Sequence, residues 1–199
     1  MTTFRPHKYY RMRYFGYREH CPLVEHRILL ESIQGKQPLD NVASILEELA
    51  TNKAYAQYEL YLSSDKKFRQ EREDYLKRHG IEQRVTLVDT ESNRYYKLLA
   101  TAKYLISETS LLYIYTKREG QVYLNTWHGT PLKTLGRNKK NSYAIVGNEQ
   151  KTFLDADFLL EQKDFEDYLQ SCSALLKPDA DFHCSYRNKT SAHHCISDR

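Results

Sequence analysis

Gln121-Val122-Tyr123-Leu124-Asn125-Thr126-Trp127-His128-Gly129-Thr130-Pro131-Leu132-Lys133-Thr134-Leu135-Gly136-Arg137 is the stretch on which the fold turns. Its first four residues alternate as a strand does. Thr130 can cap a helix, and Pro131 suits the first helical position, where its missing N–H would have had no partner. The reading is strand, tight turn, helix. His128 then sits on the turn at the strand's C-terminal end, where open α/β sheets place their ligands.

That placement has a chemical use. A histidine near its ordinary pKa of about 6.5 can accept a proton at neutral pH. The N–H groups of the following helix start, with Lys133 one turn in, suit a phosphate. Gly129 lets the backbone come close to whatever His128 touches. His128 is therefore the candidate catalytic base, and Trp127, Gly129, Thr130 and Lys133 are candidate substrate contacts. The plainer alternative is a buried tryptophan beside a histidine satisfied by hydrogen bonds.

Working outward, strand and helix periods alternate from Glu25 onward. Arg27 to Ile33 reads as a buried strand ending in a loop at residues 34–38. Asp40 or Asn41 can cap a helix running to about Leu49. Tyr55 to Leu62 is strand-like, and Asp65 to His79 is a charged helix closed by Gly80. Val85 to Val88 is a short strand, Ser92 to Lys103 a helix, and Tyr104 to Ser107 the next strand. Leu111 to Thr116 fits strand or loop. Strands alternating with helices predict right-handed crossovers and a mostly parallel sheet flanked by helices, a Rossmann-like α/β fold. The loop Ser32 to Lys36 follows the first strand, so it shares the sheet edge of His128. Gly35 would allow close backbone approach and Lys36 would hold a phosphate; an ordinary tight turn fits the same residues. Glu108, beyond the Tyr104–Ser107 strand, could orient His128, but a charge on the rim is the default expectation.

Composition bounds the class. A chain of 199 residues with 40% hydrophobic and 28% charged residues can bury one core. No apolar run approaches the roughly 20 residues that span a bilayer, and no signal-peptide pattern opens the chain. A cytoplasmic protein is expected. Cys21, Cys172, Cys184 and Cys195 form no CxxC pair and read as reduced thiols.

The block Tyr123–Arg137 resembles the CDP-glycerol glycerophosphotransferase family, which primes and polymerises the glycerol-phosphate chains of wall teichoic acids. Ile28–Lys36, Leu99–Ser107 and Asn148–Phe153 resemble the same family in the same order, over roughly residues 24–165. The resemblance implies the N-terminal, acceptor-side domain of a GT-B glycosyltransferase: two Rossmann-like domains across a cleft, with no metal or other cofactor. It implies CDP-glycerol as donor, bound mainly by the second domain, and a lipid-linked teichoic acid acceptor. His128 would take the proton of the attacking hydroxyl, and Trp127 would pack beneath it and fix its rotamer.

The ends of the chain read differently. Residues 1–20 carry Arg5, Lys8, Arg11, Arg13 and Arg18 against Glu19, so the whole net charge of +4 resides there. Six rings, Phe4, Tyr9, Tyr10, Tyr14, Phe15 and Tyr17, are interleaved with these cations. This pattern fits an anionic membrane surface, a linker that packs its rings on the domain, or single-stranded nucleic acid, the weakest of the three. Past Phe165 the resemblance fails. Histidine–cysteine clustering after Asp179 matches no metal-ligand spacing. The organisation expected is a basic aromatic arm over 1–22, a Rossmann-like domain over 23–165 and a divergent tail over 166–199, with the second domain missing. The function expected is glycerol phosphate transfer to a lipid-linked acceptor at the inner face of the plasma membrane, without nucleic acid. In this form the chain would be an inactive fragment; the alternative is a non-catalytic half-domain that binds acceptor or membrane.

Overall fold

Val24–Glu31 forms β1, the strand around which the rest of the domain is wound. The computed structural model describes residues 6–36, 39, 41–126, 143–161 and 183–184. Within them β2 (Glu59–Ser64), β3 (Val85–Asp89), β4 (Ala102–Ser107), β5 (Val122–Asn125), β6 (Phe158–Glu161) and the two-residue β7 (His183–Cys184) join β1 in one sheet, ordered β3-β2-β1-β4-β5-β6-β7. Every pairing is parallel. The helices are α1 (Pro6–His20), α2 (Asn41–Thr51), α3 (Arg69–Arg78), α4 (Asn93–Thr101) and α5 (Tyr143–Asp155). The expected Rossmann-like α/β fold is the one present.

Both faces of β1 are covered, which is why its second half is continuously apolar. Ile28 and Leu30 join Val42 and Leu46 of α2, Leu60 and Leu62 of β2 and Leu76 of α3 in one core. Leu29 points the other way and packs with Tyr95, Tyr96 and Leu99 of α4, Leu105 of β4 and Tyr123 of β5. Each such side chain contributes about 1.5–3 kcal/mol on burial, so the two layers together dominate the fold's stability.

Local signals set the helix ends. The Ser92 side chain accepts a hydrogen bond from Tyr95 N–H at 3.1 Å and caps α4. At the end of α3, Gly80 adopts φ +66°. Its N–H bonds Lys77 O, and Ile81 N–H bonds Leu76 O, which together make a Schellman motif. The expected stop at Gly80 is thus met, while the first turn after Asp65 is 3-10 rather than α. Tyr55 also belongs to a 3-10 turn, and β2 begins only at Glu59. Ile33, expected at the end of the first strand, has φ 43° and lies outside it. Leu111 to Thr116 is irregular.

The segment read as a basic arm is a helix docked on the domain. Tyr14 of α1 is completely buried in the core with Tyr95, Tyr96 and Leu99. Its hydroxyl donates to Thr116 O at 3.2 Å and accepts from Thr116 N–H at 3.1 Å. Tyr10 and Tyr17 pack against the same core. The outer face keeps Tyr9, Met12 and Phe15 exposed, at 50%, 75% and 48%. Among the described residues, no helix is long and apolar enough to cross a membrane.

Candidate functional site

β2 and β3 lie on one side of β1, and β4 and β5 on the other. The winding therefore reverses between β1 and β4, and the loops leaving their C-terminal ends diverge to open the crevice where such folds bind ligands. At this edge the strands stop being apolar. Glu31 and Ser32 at the end of β1, Ser63 and Ser64 at the end of β2, Ser107 and Glu108 at the end of β4, and Asn125 and Thr126 at the end of β5 are all buried. Buried polar groups of this kind are tolerated when they are hydrogen-bonded.

Glu108 holds the reversal point together. Its Oε2 accepts from Ser32 Oγ at 2.5 Å and its Oε1 from Val42 N–H at 2.7 Å. Val42 lies in the first turn of α2, where an anion is also favoured by the helix dipole. The sequence made Glu108 a rim charge; it is fully buried instead. A carboxylate that satisfies a helix start and a hydroxyl at once can offset its desolvation through these bonds, which is why it lies inside.

Glu31 is the second buried carboxylate, at 1% exposure. Tyr95 OH donates to its Oε2 at 2.6 Å, and the buried Ser63 hydroxyl is a second hydrogen-bonding group on the same carboxylate. Burial raises the Glu31 pKa above the ordinary carboxylate value; Tyr95, nearby Ser63, Arg72 and Lys36 pull it back in part. Arg72 of α3 is buried as well, and burial lowers its pKa against the opposing fields of Glu108, Glu71 and Glu31. Tyr95 is pushed well above its usual value by burial and by the Glu31 charge, so it remains a donor at neutral pH.

Beside Glu31 lies a cavity of about 300 Å³, lined also by Gln34, Lys36, Asp65, Lys66, Tyr95 and neighbouring loop residues. Its wall is a loop in which Ile33, Gln34 and Gly35 have φ 43°, 55° and 74° in succession. For the two residues with side chains this left-handed backbone costs on the order of 1–3 kcal/mol each. Gly35 is obligatory there: a Cβ would lie 2.5 Å from Asp65 N and 2.8 Å from Ser64 C. The close approach expected at Gly35 is thus to the chain's own β2 end, where Gly35 O accepts from Asp65 N–H at 2.9 Å. Lys36 is exposed at the cavity.

Of the residues singled out in the sequence, Gly35 and Lys36 are brought to this edge. Trp127, His128, Gly129, Thr130 and Lys133 lie outside the described residues. The strand that leads to them is firmly held. Asn125 Nδ2 lies 3.0 Å from Tyr123 OH and 3.2 Å from Thr109 O, and Thr126 N–H donates to Ser107 O at 2.8 Å. Sequence reasoning missed Glu31 and Tyr95, and took Ser32 only as the start of the Ser32–Lys36 loop. The available signal was a carboxylate and a serine abutting an apolar run twice, as Glu31-Ser32 and Ser107-Glu108, at the ends of adjacent parallel strands.

The family described as CDP-Glycerol:Poly(glycerophosphate) glycerophosphotransferase matches residues 13–190. A teichoic acid poly(glycerol phosphate) polymerase of Bacillus spizizenii (strain W23) is 32% identical over 157 residues, covering 77% of this chain and 36% of that protein. The protein of the same description from Bacillus subtilis (strain 168) is 27% identical over 150 residues, covering 75% of this chain and 18% of that protein. The solved wall teichoic acid polymerase TagF superposes with a TM-score of 0.70 at 19% identity, covering 89% of this chain and 42% of that one. A TagF variant soaked with CDPG gives 0.69 at 19% identity with the same coverage. The α/β fold is shared with TagF. This chain spans about a third or less of the two curated relatives.

Proposed function

This chain belongs to the CDP-glycerol:poly(glycerophosphate) glycerophosphotransferase family, and from that premise we propose that it forms the acceptor-side half of a teichoic acid glycerophosphotransferase. In the complete reaction, a hydroxyl of a lipid-linked acceptor attacks the β-phosphate of CDP-glycerol. A new oxygen–phosphorus bond forms, the pyrophosphate bond breaks, CMP leaves, and His128 takes the hydroxyl proton as general base. Thr130 and Lys133 steady a phosphate at the helix start, and Gly129 leaves room for it. Trp127 fixes the histidine rotamer. Donor binding falls mainly to a second domain, and no cofactor takes part.

The observation that carries this reading is the end of β5. Asn125 and Thr126 are buried and hydrogen-bonded at the C-terminal edge of the sheet, beside the Ser32–Glu108 contact at the reversal of winding. The chain therefore enters the Trp127-His128-Gly129 segment from the edge where this fold class places its chemistry. Work at the inner face of the plasma membrane is supported by α1, whose Tyr9, Met12 and Phe15 face outward beside cations.

The test is transfer of labelled glycerol phosphate from CDP-glycerol to a lipid-linked acceptor, with the chain joined to a donor-side domain of the family. His128→Ala should lower turnover at least about a hundredfold while thermal unfolding stays nearly unchanged. Near-normal turnover in the folded variant would sink the assignment of the base.

A further inference from the structure

The chain reaches Trp127 and His128 by way of a closed circuit of hydrogen bonds. Ser107 Oγ donates to Thr109 O at 2.6 Å and so uses its only proton. It then accepts from Tyr123 OH at 2.7 Å, and Tyr123 OH accepts from Asn125 Nδ2 at 3.0 Å. The same amide nitrogen also donates to Thr109 O at 3.2 Å, which closes the circuit. Thr109 O can only accept, so the amide has to present its nitrogen, and the two hydroxyls then run in one direction. Burial pushes the Tyr123 hydroxyl above its ordinary range, which keeps it a donor at neutral pH.

This circuit joins both sides of the crevice. Between Ser107 and Thr109 stands Glu108, whose carboxylate is bonded to Ser32 and to Val42 N–H. Three consecutive residues at the end of β4 thus tie β5 to β1 and α2. On β5 the backbone of Thr126 is held twice: its N–H donates to Ser107 O at 2.8 Å, and its carbonyl accepts from Asn41 Nδ2 at 3.4 Å. Ser107, Tyr123, Asn125 and Thr126 are all buried. An aliphatic side chain would close this four-residue strand without desolvating an amide, so burial alone does not call for asparagine. What the amide adds is direction, because a satisfied buried network rigidifies its members in one arrangement.

We propose that Asn125 is a positioning residue for the transfer reaction: its amide locks the end of β5 to the Ser107–Thr109 turn and thereby sets the path on which the chain continues into Trp127 and His128. The proposal rests on the reading of His128 as general base. In this role Asn125 touches no substrate and acts only through the segment it aims.

Trp127 is the only tryptophan in the chain and closely follows Asn125, so its fluorescence reports on the segment without any need for turnover. Asn125→Asp keeps the shape but turns an acceptor toward Thr109 O, and Asn125→Leu removes the amide altogether. Both should shift the Trp127 emission maximum and change its quenching by acrylamide, while far-UV circular dichroism stays that of the parent. In the chain joined to a donor-side domain, both should lower kcat by about ten- to a hundredfold, as a small misplacement of a reacting group does, with KM for CDP-glycerol within about twofold of the parent. Tyr123→Phe cuts one link and keeps the aromatic group in the core; it should fall between parent and Asn125→Leu in both measurements, and it decides the matter if substitution at 125 unfolds the chain. Parental Trp127 fluorescence, or parental kcat, in a folded Asn125→Leu or in its stand-in Tyr123→Phe would overturn the proposal. If His128→Ala keeps its turnover, the assignment of the base fails by itself, and the Trp127 comparison still judges whether Asn125 aims the segment.

Discussion

Ser32 at the end of β1 and Glu108 at the end of β4 are joined by a 2.5 Å hydrogen bond across the point where the sheet reverses its winding. The two strands pair in register, with Glu31 beside Ser107. The bond therefore closes the crevice floor between two loops that would otherwise splay apart. Glu108 also caps α2 through Val42 N–H, so one carboxylate ties three elements together.

Removing that carboxylate should be strongly destabilising. Glu108→Ala removes the acceptor of the buried Val42 N–H together with the bond to Ser32, and the expected cost is about 3 kcal/mol or more. Glu108→Gln keeps one acceptor and should cost markedly less. Urea unfolding of the three proteins measures this. A loss within about 0.5 kcal/mol for Glu108→Ala, the range of an ordinary surface change, would show that the contact is incidental.

The buried Glu31 gives a pH signature with a definite sign. Unfolded, it titrates near the ordinary value of 4.5, and burial raises it in the folded protein. Between those two values the folded state holds a proton that the unfolded chain has lost, so this group's contribution to stability falls as pH rises through the window. Glu31→Gln lacks the titration. Its stability relative to the parent should therefore grow as pH rises above 4.5, with a slope approaching about 1.4 kcal/mol per pH unit inside that window. Stability curves that run parallel from about pH 4 to 8 would refute it.

How much of this was open to sequence reading depends on the range of the interaction. The alternation of periods, a helix opening at Ser92 and a helix stopping at Gly80 are decided within a few residues. Both ends are met, with Ser92 as the cap, though the helix that opens there ends at Thr101 where the sequence carried it to Lys103. The burial of Glu108 depends on Ser32 and Val42, which are 76 and 66 positions away, and no local pattern carries that. Tyr14 likewise finds Thr116 across 102 positions, so packing of the arm's rings on the domain stood in the sequence only as one reading among three, with no partner to name. Gly35 was recognised as a close-approach glycine, but its neighbour could be named only once β2 was placed beside it. The His128 segment is the reverse case, strongly marked in sequence and outside the described residues.

The docking of α1 separates two roles that residues 1–20 could play. Tyr14→Ala should destabilise the fold by about 3–5 kcal/mol, because a fully buried ring and its two bonds to Thr116 are lost. Deleting the whole segment would therefore confuse unfolding with loss of a surface. The outward face is the better probe of membrane contact. Met12→Ser with Phe15→Ser should leave stability within about 1 kcal/mol and weaken binding to anionic vesicles severalfold, and parental binding should decline with salt. Equal sedimentation with vesicles for parent and double variant would remove the membrane role from this face.

The last prediction concerns the 199 residues taken alone, which should not catalyse efficient transfer. They cover 36% of the Bacillus spizizenii polymerase and 42% of TagF. In a two-domain glycosyltransferase the reaction occurs in the cleft, and each domain brings one substrate into range. The acceptor side alone forgoes the proximity advantage, which can supply about 7–11 kcal/mol of a barrier. His128 would then face water in place of a bound pyrophosphate, and its basicity would have nothing to act upon. Adding a donor-side domain in trans should restore little, since two weakly joined halves do not hold both substrates at reacting distance; fusing it should restore much more. Labelled CDP-glycerol, a lipid-linked acceptor and the purified chain measure the difference. Turnover on the order of 1 s⁻¹ or more by the unfused chain would show that the acceptor-side domain carries a complete active site.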